Sequence, residues 1–120
     1  MTTTHKVTGA GDFLAALPAL LGFRPIESVV AVPFTGSRTI GAMRFDLPAA
    51  DNAAELARVA MGLICKVENV TGLALVVYGE RERAEAVGEQ IAAQADACGL
   101  QLIDRLYVTG DAWGVIGEDA

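Results

Sequence analysis

"LALVVYGERERAEAVGEQIAAQADACGLQLIDRLYV", residues 73–108, decides the fold. It opens on a short, continuous, β-rich run, Leu73 to Gly79, the pattern of a central strand covered on both faces. The next segment, 80–99, places Ala84, Val87, Ile91, Ala95 and Cys98 on one side of a helix and charges on the other, and Gly99 ends it. "LQLIDRLYV" is a second strand. A strand-helix-strand connection of this length requires a parallel pairing through a right-handed crossover.

Upstream, "SVVAVPF" from Ser28 is a further β-branched run, and Pro33 confines its far end to a sheet edge, a bulge or the strand terminus. "TGSR", Thr35 to Arg38, is a tight connection to "TIGAMRFDLP", which puts Ile40, Ala42 and Arg44 on one face and Gly41, Met43 and Phe45 on the other. The two runs make an antiparallel hairpin. Pro48 closes it, and Asp51 is placed to cap the helix that follows. In that helix, within Asp51–Glu68, the residues Leu56, Val59, Ala60, Leu63, Ile64 and Val67 recur at the spacing of one helical face. Before the hairpin, "TGAGDFLAALPALLGF" predicts a short helix capped by Asp12, kinked or divided at Pro18, and stopped by Gly22 and Pro25. After residue 108, "TGD" turns the chain into a short strand around Trp113–Ile116.

The order is helix-β-β-α-β-α-β-β, an α/β or α+β fold with a mixed sheet of about five strands: a parallel centre with antiparallel hairpins at its start and end. A chain of 120 residues forms one domain over residues 1–120, with flexible ends at 1–9 and 117–120.

Hydrophobic residues make up 52% of the chain and the net charge is −6, with no cluster of Lys and Arg. The charge repels phosphate backbones and anionic lipids, so neither nucleic acid nor a membrane is an expected partner. No stretch has the length of a membrane span, and the start lacks a signal-peptide pattern, so the expected location is cytoplasmic. Cys65 and Cys98 have no second ligand at metal spacing; they read as reduced, helix-borne packing residues, and a disulfide requires that the helices bring them into contact.

The chemistry of catalysis is sparse. The only histidine is His5, in a polar terminus, which leaves no imidazole to activate a nucleophile and removes the commonest metal sets. The glycines of "VTGAGD" lack the remainder of a phosphate-loop pattern. Glu27, Asp46 and Asp51 are hard oxygen ligands but have no distinctive metal spacing. No catalytic residue, metal or cofactor is assigned. "GERERAEAVGE", where Glu82 and Glu85 alternate with Arg81 and Arg83, reads as a solvated helix face.

One segment stands apart. Arg24, Glu27 and Ser28 sit at the entrance to a strand covered on both faces, where an unpaired charge is costly. In a hairpin the start of one strand lies beside the end of the other, so Arg24–Ser28 should approach Arg44–Pro48. Arg24 can pair with Glu27 or with Asp46. Read structurally, these residues pin the helix-to-strand corner; read functionally, Arg24 and Arg44 are donors for an anion or carboxylate, with Glu27, Ser28 and Asp46 around them.

The blocks "LAALPALLGFRPIESVVAVPF", "MRFDLP", "LALVVYGE" and "LQLIDRLYVTGDAWGVI" resemble an uncharacterised, mainly actinobacterial domain-of-unknown-function family, whose signature is matched by "LLGFRPIES", Leu20 to Ser28. The resemblance spans about Leu14 to Ile116. It implies a compact version of the family's α/β core, in a cytosolic protein of bacterial or phage association, and no mechanism.

Two functional expectations follow. The first is a non-enzymatic interaction or regulatory module that self-associates or takes a protein partner through a sheet edge. The alternative is a small-ligand or anion-binding domain, an enzyme included, with its pocket at Arg24, Glu27, Ser28, Arg44 and Asp46, and with Tyr78 and Trp113 available as an apolar wall.

Overall fold

The computed structural model describes residues 13–19, 21–23, 25–110 and 112–117. Asp12, Arg24, Asp111, His5 and most of the two segments expected to be flexible, 1–9 and 117–120, lie outside the described residues. Helix α1 covers residues 13–19 and 21. Then follow β1 (Ser28–Thr35), β2 (Arg38–Thr39), β3 (Met43–Asp46), a 3-10 turn (Ala50–Asn52), α2 (Ala53–Ile64), β4 (Gly72–Tyr78), α3 (Arg81–Ala97), β5 (Gln101–Thr109) and β6 (Ala112–Val115).

The strands form one mixed sheet in the order β2-β1-β4-β5-β6, with β3 pairing β1 on the β2 side. Strand alternation assigns each side chain to a face. Val29, Ala31, Leu73, Leu75 and Val77 pack under α2 and α3 with Ala57, Met61, Ile64, Val87 and Ile91. Val30, Val32, Ala74, Val76 and Leu106 pack against α1 through Leu17, Phe13 and Leu14. The fold is thus three layers, with α1 alone on one face and two helices on the other.

The parallel centre is narrower than expected. Only β4 and β5 among the described strands pair in parallel. Strands β3 and β4 are both antiparallel to β1 and lie on its two sides. They therefore run in the same direction without touching. The crossover through α2 steps over β1, because β1 has already taken β3 as its hairpin partner and offers β4 its other edge.

The second arm of that hairpin is broken, and Pro33 supplies the reason. The N–H and C=O of a strand residue point to the same side. Pro33 accepts a bond from Ile40 N–H at 3.0 Å, so its missing donor also faces this arm. There the ladder lapses: β2 pairs Phe34 and Thr35, β3 pairs Ser28 to Ala31, and Gly41 between them turns to φ +139°.

Three local expectations change. Asp51 lies within the 3-10 turn rather than capping α2, whose N-cap is Asn52. Residues 13–19 are helical through Pro18, so the chain is not divided there, and the Pro18 carbonyl accepts from Gly22 N–H at 2.8 Å, with Gly22 left-handed at φ +85°. On α2 the buried stripe is Ala53, Ala57, Ala60, Met61 and Ile64, while Val59 and Leu63 stay exposed. Small side chains need less room between two helices packed side by side, so the alanine stripe displaces the larger apolar one.

Helix α3 ends as Gly99 predicts. Leu100 N–H reaches the Ala95 carbonyl at 2.9 Å and Gly99 N–H the Asp96 carbonyl at 3.1 Å, with Gly99 at φ +78°. This double closure satisfies two of the orphan carbonyls of the last turn. Cys98, expected on the packed side of the helix, is exposed just before it.

Candidate functional site

The residues singled out between Glu27 and Asp46 meet at one end of the sheet. The start of β1 lies there beside the ends of β3 and β4, since Ser28 pairs with both Asp46 and Tyr78. The pairing continues through Val108 to Trp113. Directly paired residues share a face, so Asp46, Ser28, Tyr78, Val108 and Trp113 form one row across the side that carries α1. The next row contains Arg44, Val30, Val76, Leu106 and Val115.

Ser28 is fully buried, and its hydroxyl has partners on both of its functions. It donates to the Ile26 carbonyl at 2.8 Å and accepts from Arg44 Nε at 2.8 Å. Arg44 in turn meets the Asp46 carboxylate at 2.8 Å. The two sit two positions apart on β3 and so project from the same face. Asp46 is 88% exposed and Arg44 36%, which leaves this pair open to water. The Asp46 partner is therefore Arg44; Arg24, the other expected partner, lies outside the described residues.

Glu27 takes a different direction. It adopts φ +47°, a left-handed conformation that costs a residue with a Cβ about 1–2 kcal/mol. Its carboxylate reaches Arg83 of α3 at 2.7 Å, on the opposite side of the sheet from Arg44. The Arg83 guanidinium also donates to the Leu47 carbonyl at 2.9 Å and the Pro48 carbonyl at 3.2 Å. Leu47 N–H closes the corner on the Glu27 carbonyl at 3.0 Å. Gly79 completes it: a Cβ there would run into Leu47 Cδ2 and lie 2.9 Å from Glu27 Oε2. The four of the five expected residues that are described thus divide, with Ser28, Arg44 and Asp46 on one face and Glu27 clamped by Arg83 on the other.

Arg83, which the alternating charges of its helix assign to a solvated face, is instead a tertiary anchor fifty-six positions from Glu27. Glu85 departs from that reading as well. Its carboxylate accepts from Gly117 N–H at 2.9 Å and meets Arg81 at 3.5 Å. Arg81 lies over the Tyr107 ring, 5.2 Å from its centroid. Charge alternation along a helix does not distinguish a solvated face from a row of anchors.

Glu27, Asp46 and Asp51 do not gather: among the described residues no group of three or more His, Cys, Asp or Glu side chains converges as metal ligands would. No helix there is long and apolar enough to cross a membrane. A concavity of about 520 Å³ lies at the other end of β1, lined by Thr35, Arg38, Thr39, Ile40, Val67, Glu68 and Asn69. It is bordered by side-chain-to-backbone ties, including the Thr35 hydroxyl, which donates to the Asn69 carbonyl at 2.8 Å.

Two edges bound the sheet, and their chemistry differs. The broken arm carries Arg38, Arg44 and Asp46. Strand β6, Ala112–Val115, carries no charge and shows Trp113 at 47% exposure. Burial on the α1 face pushes the Asp104 carboxyl up from its usual range.

A family model for a domain of unknown function, DUF4192, matches residues 11–119. Comparison with curated proteins and with solved structures returned no match.

Proposed function

We propose that this chain, which belongs to the DUF4192 family, is a non-enzymatic interaction module that associates with a second copy of itself along β6. The observation that carries the reading is the asymmetry of the edges. Charges on an edge strand discourage further pairing, and their lack invites it. β6 presents Trp113 and Val115 toward the α1 face with no Lys, Arg, Asp or Glu among Ala112–Val115. An antiparallel β6 pair across a two-fold axis satisfies the outer backbone groups of both copies and covers both indoles.

Trp113 is the sole tryptophan, which makes it a direct reporter. The test combines light scattering with tryptophan emission over a concentration series, for the native chain and for Trp113→Lys. The expected result is a dimer whose emission shifts to the blue as it forms, and a variant that is monomeric with unchanged far-ultraviolet circular dichroism. A native chain that stays monomeric at every accessible concentration, with solvent-like emission, overturns the reading.

A second reading rests on the Arg44 guanidinium, part-exposed beside the buried Ser28 at the carboxyl ends of β3 and β4. Ligands of open α/β sheets bind at such ends. Under this reading the corner binds a small carboxylate or phosphate. Its test is thermal stabilisation by these anions in the native chain, lost in Arg24→Ala and Arg44→Ala; a shift that survives both substitutions excludes the corner.

A further inference from the structure

We propose that Cys65 and Cys98 are a reversible dithiol-disulfide site, closed by low-molecular-weight disulfides, that staples the C-terminal ends of α2 and α3. The two residues occupy equivalent places in the fold, each the C-cap of its helix. Their sulfurs are 3.2 Å apart, although the residues are thirty-three positions apart in the chain. Cysteine is among the most buried residue types, yet both of these are exposed. They are reachable from solvent and contribute little to the core, so packing does not account for their contact.

Backbone bonds hold both in place: Cys65 N–H donates to Met61 carbonyl at 2.9 Å and Cys98 N–H to Gln94 carbonyl at 3.0 Å. Side-by-side thiols on fixed helix ends favour ring closure over any intermolecular reaction, because the second thiol is already at the reacting sulfur. The thiolate of one cysteine attacks a sulfur of the small disulfide and releases one small thiolate. The second cysteine, giving up its proton, attacks the mixed disulfide and releases the other. In balance, two protein thiols are oxidised to one disulfide and one small disulfide is reduced to two thiols. The hydrogen bond to Cys98 pushes the Cys65 thiol up, so the exchange runs faster in mildly alkaline buffer.

The experiment treats the full chain with oxidised glutathione or with a phosphine reductant, then reads intact mass, non-reducing electrophoresis and melting temperature. Cys65→Ser and Cys98→Ser are run beside it. The expected product is a chain lacking two hydrogens, of unchanged subunit number on the gel, whose Tm is higher by on the order of 10 °C because the bridge closes a long loop. Both variants lose that shift, and each retains glutathione as a mixed disulfide that the native chain does not accumulate. Two free, alkylatable thiols after treatment, stable glutathione adducts on the native chain, or covalently linked dimers overturn the proposal.

Discussion

Replacing Arg83 by alanine removes the clamp that joins α3 to the corner between β1 and β3, and its cost can be worked from the contacts. Two guanidinium bonds to the Leu47 and Pro48 carbonyls are lost, at 2.9 and 3.2 Å. Each contributes roughly 1 kcal/mol net at a site with some access to water. The Glu27 partner is 53% exposed, so the ion pair adds no more than about 1 kcal/mol. The total is roughly 2–3 kcal/mol. With an unfolding entropy near 0.25 kcal/mol/K for a chain of this size, Tm falls by roughly 8–12 °C. Thermal denaturation followed by circular dichroism, with the cysteines kept reduced, measures it. Arg83→Lys retains the charge but not the planar fork and should lose about half as much. Glu27→Gln, which leaves both carbonyl bonds intact, should lose least. If Glu27→Gln costs as much as Arg83→Ala, the ion pair and not the carbonyl clamp holds the corner, and the reasoning fails.

Gly88 sits on the buried face of α3, where an added Cβ would stand 2.5 Å from Ile116 Cγ2. Alanine gains about 1 kcal/mol in helix propensity and loses about 1–3 kcal/mol to overpacking, so Gly88→Ala should lower Tm by roughly 4 °C. In an Ile116→Ala background the same change should stabilise; a urea denaturation cycle decides. Asp104 is pushed up by burial, so the folded chain holds its proton at a pH where the unfolded chain has lost it. Stability then declines as pH rises through that window, starting from the unfolded carboxyl value of about 3.9. Asp104→Asn should therefore raise Tm at pH 7 and make no difference in acid below both values, as melts across a pH series will report.

The readable parts of this fold were those whose cause is local. Strand β4 and helix α3 announce themselves by continuous apolar character and by 3.6-residue spacing, and Gly99 carries its own stop signal. The approach of Ser28 to Asp46 followed from hairpin geometry alone. What escaped depended on distant partners. Nothing near Arg83 indicates that a carboxylate from the start of β1 will arrive beside it. The choice between two apolar stripes on α2 was made by the room left next to α3, and the step over β1 by β3 occupying the nearer side of that strand. The division of the candidate site also rested on a distant partner: Glu27 precedes β1 in a left-handed conformation, and Arg83 of α3 holds its carboxylate on the face away from Arg44.

The gap that Pro33 imposes on the arm formed by β2 and β3 has a bearing on assembly. A strand-by-strand addition needs an uninterrupted row of donors and acceptors, and on that side the row is cut between Thr39 and Met43. A molecule with two good borders can recruit neighbours without limit, and fibres grow from such shapes. One with a single good border can be extended once only. Joined through β6, two copies would turn their interrupted, charged margins outward and stop there, so the proline that weakens one hairpin also sets a ceiling on how large an edge-to-edge complex can become.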